Sequence, residues 1–161
     1  MDHIRRVVVG LGSNVGDRVS NIQEAVARLS GDDDIHVTER SPLYETLPEG
    51  DVAQGDYING AVLLLTSLEA RELMRRLLTI ETSLGRVRGA KNGPRTIDLD
   101  ILWIEGETVN EQDLVVPHPR LLQRSFMLRP LADLASDASD ADTGVPFADL
   151  ELAKAQLKRV E

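Results

Sequence analysis

Two aspartates, Asp98 and Asp100, alternate with Ile97, Leu99 and Ile101 in the stretch Gly-Pro-Arg-Thr-Ile-Asp-Leu-Asp-Ile-Leu-Trp. Strand side chains alternate faces, so both carboxylates point the same way, about 6.7 Å apart along the backbone. Two carboxylates that close repel, and partial burial raises the cost. Arg95 offers one compensating charge, whereas a divalent cation shared by both would offer more. With oxygen donors only, the choice falls on Mg²⁺ or Mn²⁺ rather than zinc. Mg²⁺ commonly completes its shell with phosphate and water. The other reading is an edge strand with a polar outer face. What favours the metal is the neighbourhood: Arg86, Arg88, Lys91 and Arg95 fall within ten residues that contain no acid. Paired carboxylates beside such a loop suit a nucleotide polyphosphate.

A second acid-free window, between Leu114 and Ala132, holds His118, Arg120, Arg124 and Arg129. His118 stands between two prolines in Val-Pro-His-Pro-Arg, and it could contact a phosphate or cap its own turn. Tyr57 and Asn59 also share a strand face. A ring beside an amide suits a flat heterocycle with hydrogen-bonding edges, and a strand-end Tyr with a solvated Asn is the plainer alternative. Phe126 fits core packing or a second stacking wall. Glu81 follows Ile80 on an apolar helical face, and periodicity alone gives it a surface position. Gly10, Gly12 and Gly16 have the spacing G-x-G-x-x-x-G, one residue too long for a dinucleotide fingerprint, and no G-x-x-x-x-G-K-[ST] loop is present.

Certain elements must carry these residues. Residues 5–11 read as a buried strand, 17–30 as a helix built on Val19, Ile22, Val26 and Leu29, 35–46 as a strand, and 57–66 as a strand. Ser67 is the expected cap of a helix with the face Leu73, Leu77, Ile80 and Leu84, closed by Gly85. Residues 96–104 form the next strand, 107–110 pair briefly, and 120–134 are helical with an interruption at Pro130. Residues 135–143 read as a surface loop and 147–158 as a short last helix. The order β-α-β-β-α-β with a C-terminal extension is α+β and ferredoxin-like: an antiparallel sheet with helices packed on one face. We read residues 1–161 as one domain, with 135–161 as a variable extension.

Composition agrees. The chain is 42% hydrophobic, enough for a core, has no cysteine, and carries a net charge of −9. That charge argues against generic nucleic-acid binding. No signal peptide or membrane-length apolar run is expected. A cytoplasmic monomer with no membrane contact is the expectation.

Four blocks carry a resemblance: Gly-Leu-Gly-Ser-Asn-Val-Gly-Asp at 10–17, Asp-Tyr-Ile-Asn-Gly-Ala-Val at 56–62, Gly-Arg-Val-Arg through Gly-Pro-Arg-Thr-Ile-Asp-Leu-Asp-Ile-Leu at 85–102, and Val-Pro-His-Pro-Arg-Leu through Arg-Ser-Phe-Met-Leu-Arg-Pro-Leu at 116–131. The chain resembles the 6-hydroxymethyl-7,8-dihydropterin pyrophosphokinase family of folate biosynthesis, from about residue 7 to 135. The resemblance implies a ferredoxin-like α+β fold and transfer of the β,γ-pyrophosphoryl group of ATP to the pterin hydroxymethyl oxygen, leaving AMP. It implies that Asp98 and Asp100 bind two Mg²⁺ ions, and that Arg86, Arg88 and Arg95 grip the triphosphate, Arg86 and Arg95 with a catalytic role. It places Glu81, Ile101, His118 and Arg124 at ATP, and Thr46, Tyr57, Asn59 and Phe126 at the pterin. The chain departs from the family at Asn92, where Trp is frequent, at Pro119, often aromatic, and at Leu47, often proline. A metal-dependent glycosyl- or nucleotidyltransferase using Asp-x-Asp would usually be larger and leaves the basic loop unexplained. A ligand-sensing module of this fold would not need two carboxylates facing four cations.

Overall fold

The computed structural model describes residues 3–47, 55–85 and 96–160. The central strand β1 (Arg5–Ser13) divides its residues between two layers. Val7, Val9 and Leu11 enter one hydrophobic core and Val8 enters the other. Helix α1 (Arg18–Ser30) starts where expected: the Asp17 carboxylate accepts the Ser20 N–H at 3.1 Å. It buries Ile22, Ala25, Val26 and Leu29.

The strand expected over 35–46 is two strands, β2 (Ile35–Arg40) and β3 (Leu43–Thr46). Pro42 has no N–H for a ladder. The Ser41 hydroxyl occupies the gap, accepting from Ala61 N–H at 2.9 Å and donating to the Pro42 carbonyl at 2.7 Å. β4 (Tyr57–Thr66) has the expected bounds. α2 (Ala70–Ser83) begins later than expected, with Glu69 rather than Ser67 at the cap. The Thr66 hydroxyl makes the preceding turn by accepting from Leu68 N–H at 3.1 Å, so Ser67 is not the cap. Leu73 and Leu77 are buried, while Ile80 and Leu84 pack at the core margin. Gly85 adopts φ +88°, the left-handed conformation expected just after a helix.

β5 (Asp98–Ile104) is followed by the hairpin β6 (Val109–Glu111) and β7 (Leu114–Val116). α3 (Ser125–Leu134) runs through Pro130 instead of being interrupted there. Met127, Leu128, Leu131 and Leu134 are buried along it, and their packing sustains the helix across the missing N–H. The 135–143 segment is not simply surface, since Ala135 and Ala138 enter the core. The helix expected over 147–158 is two 3₁₀ turns, Phe147–Asp149 and Glu151–Lys154, followed by strand β8 (Lys158–Val160).

The sheet order is β5-β1-β4-β3-β8, with β2 also on β4, and every pairing is antiparallel. Counting β2 and β3 as one strand reproduces the ferredoxin-like order. The helices do not share one face. α1 and α2 cover the Val7 side, whereas α3 and the C-terminal turns cover the Val8 side. The α3 layer includes Trp103 and the fully buried Phe147. Among the described residues no helix is long and apolar enough to cross a membrane.

Candidate functional site

The ladder registers assemble a row of side chains on the α3 face of the sheet. Gly12 lies opposite both Asp98 and Asn59, Gly10 lies opposite Asp100, and Thr46 lies opposite Tyr57. Directly paired residues share a face, so these groups converge. Ile97, Leu99 and Ile101 are buried on the other side, while Asp98 and Asp100 stay half-buried. The alternation expected from the sequence holds at both aspartates.

Two pockets open here, and Asp98 and Asp100 line both. The first is bordered by Thr46, Tyr57, Asn59, Arg124 and Phe126. Its floor is bare backbone. A Cβ on Gly12 would lie 2.9 Å from Asn59 Oδ1, and one on Gly10 would lie 3.1 Å from Leu102 Cδ2. Asn59 is buried, and its Nδ2 donates to Thr46 Oγ1 at 2.6 Å, which orients the amide. The Arg124 guanidinium lies 5.5 Å from the Phe126 ring centroid, a cation–π distance. Phe126 thus borders a pocket and is only partly buried, rather than being a core residue alone.

The second pocket is bordered by Glu81, Ile101, His118, Pro119 and the hairpin residues Gln112 and Val115. Glu81 is not on the surface: it is buried, and its Oε2 accepts the Leu99 backbone N–H at 2.7 Å. His118 caps its own turn, its Nδ1 accepting from Arg120 N–H at 3.1 Å while its own N–H donates to the Leu102 carbonyl at 3.0 Å. Burial pushes its pKa down to about 4, the Arg124 and Arg120 charges adding to the effect and Asp98 opposing it. The imidazole is therefore neutral near pH 7, and with Nδ1 accepting, the proton sits on Nε2.

The second cationic window separates in space. Arg129 turns away to Asp133 (3.2 Å) and the Ala155 carbonyl (3.1 Å), over the Tyr44 ring. Arg120 is exposed. Arg124 and His118 reach the pockets. Arg86, Arg88, Lys91, Asn92 and Arg95 lie outside the described residues.

Among the described residues no group of three His, Cys, Asp or Glu is placed to hold a metal. An ion at Asp98 and Asp100 would thus draw two carboxylates from these residues. That donor set fits Mg²⁺, which takes one or two carboxylates and completes its shell with phosphate and water. Sequence reasoning missed Gly10 and Gly12 as a pocket floor: their spacing excludes a dinucleotide loop and belongs to the 10–17 block, but neither signals a floor. It also missed the hairpin wall at Gln112 and Val115, for which a brief pairing near 107–110 was the only signal.

Residues 8–136 match the pattern of the family described as 7,8-dihydro-6-hydroxymethylpterin-pyrophosphokinase. The chain is 40% identical over 156 residues to the 2-amino-4-hydroxy-6-hydroxymethyldihydropteridine pyrophosphokinase of Methylorubrum extorquens, covering 97% of this chain and 99% of that one. A Bacillus subtilis protein of the same name is 42% identical over 139 residues, covering 84% and 83%. A mitochondrial folate synthesis bifunctional protein of Arabidopsis thaliana is 45% identical over 137 residues, of which this chain spans 24%. The structure superposes on wild-type Plasmodium falciparum HPPK-DHPS with a TM-score of 0.73, 14% identity, and coverage of 96% of this chain and 43% of that one. At that identity the likeness concerns the fold alone.

Proposed function

The chain belongs to the 7,8-dihydro-6-hydroxymethylpterin-pyrophosphokinase family, and from that premise we propose that it transfers the β,γ-pyrophosphoryl group of ATP to the hydroxymethyl oxygen of 6-hydroxymethyl-7,8-dihydropterin. One observation carries this reading: two chemically different pockets meet at Asp98 and Asp100. The pocket with Tyr57, Asn59 and Phe126 takes the pterin. Its rings border the heterocycle, and the Asn59 amide, held by Thr46, meets a hydrogen-bonding edge. The pocket with Glu81, Ile101 and His118 takes ATP, with His118 offering a neutral Nε2–H to phosphate oxygen. Arg124, which the resemblance puts at ATP, borders the first pocket beside Phe126.

In this reading the hydroxymethyl oxygen forms a bond to the β-phosphorus while the bond from that phosphorus to the bridging oxygen of AMP breaks, and the hydroxyl proton leaves to solvent. Asp98 and Asp100 hold Mg²⁺, two ions by family resemblance, which would neutralise phosphate charge. The chain itself supplies positioning and fixed charge, which is the main demand of phosphoryl-type transfer. Arg86, Arg88 and Arg95 are proposed to grip the triphosphate. Residues 1–161 act as one domain, as a monomer, in the cytoplasm.

The test is a product assay with purified protein, MgATP and the pterin, quantifying AMP and ADP separately. AMP that appears only when the pterin is present is the expected result. ADP in its place would mean ordinary phosphoryl transfer, and the proposed reaction would be abandoned.

A further inference from the structure

The segment Gly-Ser-Asn-Val-Gly-Asp-Arg at 12–18, from the end of β1 to the start of α1, contributes only Gly12 to these two pockets, yet it bonds to both strand ends that frame the first one. Arg18 Nη1 donates to Glu45 Oε2 and to the Asp56 carbonyl, each at 2.9 Å. Glu45 precedes Thr46 on β3, Asp56 precedes Tyr57 on β4, and Thr46 and Tyr57 are ladder partners. A single guanidinium nitrogen therefore ties together the strand ends that carry two walls of the pocket. Asn14 adds a bond to the adjoining residue, its Nδ2 donating to the Gly55 carbonyl at 3.2 Å.

The clamp is itself held in place. Asn21 Nδ2 donates to the Val15 carbonyl at 2.9 Å, bracing the turn from α1. Gly16 supplies φ +72°, which an L side chain rarely adopts. Lys158 of β8 lies 3.0 Å from the other Glu45 oxygen, so two cations fix this carboxylate. The Arg18 and Glu45 side chains are 31% and 19% exposed, less open than an ordinary surface pair. Glu45 is held below the usual carboxylate range, first by Lys158 and then by Arg18. The two Arg18 bonds end on Glu45 and Asp56, neither of which borders the second pocket.

We infer that Arg18 is a positioning residue for the pterin: it fixes the spacing of Thr46 and Tyr57 and so sets affinity for the flat heterocycle without touching it. This rests on the pterin reading of the first pocket. Losing a charge-assisted bond shared by two strand ends corresponds to a change of about tenfold.

Arg18→Met keeps the aliphatic stem and removes the donors. The expected result is a KM for the pterin raised about tenfold, with kcat and the KM for ATP changed less than about twofold. Arg18→Lys, which keeps the charge, should recover part of the loss. Amide exchange should quicken at residues 44–46 and 55–58 and stay unchanged along β5. An unchanged pterin KM, or exchange quickened uniformly over the fold, overturns the inference. If Arg18→Met does not fold, Glu45→Gln is read for the same two signatures. If the wild type makes no AMP, the proposed reaction fails by itself, and the exchange pattern still decides whether the clamp exists.

Discussion

Glu81 Oε2 accepts the backbone N–H of Leu99 at 2.7 Å from a side chain only 3% exposed. Leu99 is the residue between the two aspartates, on a strand at the edge of the sheet. An edge strand leaves alternate backbone groups unpaired, and a buried donor needs a partner. The carboxylate thus fastens α2 to β5 at the midpoint of the proposed metal site.

That bond predicts a difference between two substitutions. Glu81→Ala leaves the Leu99 N–H without its acceptor and should cost about 1–3 kcal/mol of stability. Glu81→Gln retains an acceptor oxygen and should cost less than half as much, with near-normal KM for ATP. Urea denaturation and steady-state kinetics check both. A large rise in the ATP KM for Glu81→Gln would instead assign the charge to direct nucleotide contact.

Asp98→Asn and Asp100→Asn should each lower kcat at least about a hundredfold, the scale for removing a group that stabilises transition-state charge. Both should fold normally, because the carboxylates are half-buried and face the pockets. Turnover is measured across a magnesium titration. A near-normal rate at saturating magnesium in either variant would reject the metal assignment.

The depressed pKa of His118 has a defined sign. Its folded value is about 4 against an ordinary value of 6.5. Between these values the unfolded chain binds the proton and the folded chain does not, so stability rises with pH. This contribution is fully present above pH 6.5 and is lost as pH falls toward 4. His118→Gln should flatten that part of the profile, read from urea midpoints at pH 4 to 7. An unchanged slope would show that His118 takes up its proton as readily in the folded protein as in the unfolded chain.

Gly12→Ala should damage the first pocket more than the fold. The added Cβ would lie 2.9 Å from Asn59 Oδ1, too close without a shift of that amide. The amide is anchored at Thr46, so either the anchor or the strand spacing must give. A pterin KM raised about tenfold, at a stability cost of about 1–3 kcal/mol, is expected. Unaltered pterin affinity would mean that the amide is free to move aside.

Much of the site could be read from the chain because its determinants are local. A strand has period 2, so Asp98 and Asp100 had to share a face wherever β5 lay, as did Tyr57 and Asn59. The helical face of α1 and its Asp17 cap depend on neighbours within a few residues. The family blocks are likewise linear.

What only the tertiary structure decided is non-local. Register places Gly12 between Asp98 and Asn59, a relation among three strands that no periodicity encodes. Glu81 looked like a surface residue because its own helix cannot show that a strand-edge N–H lies opposite. Pro42 divides one apparent strand because the Ser41 hydroxyl can bond to Ala61 across the sheet. Lys158–Val160 becomes a strand because β3 offers it an open edge, and α3 covers the face left bare by α1 and α2. Hydrophobic period is set along the chain, whereas pairing, register and layer are set by which distant surfaces are buried together.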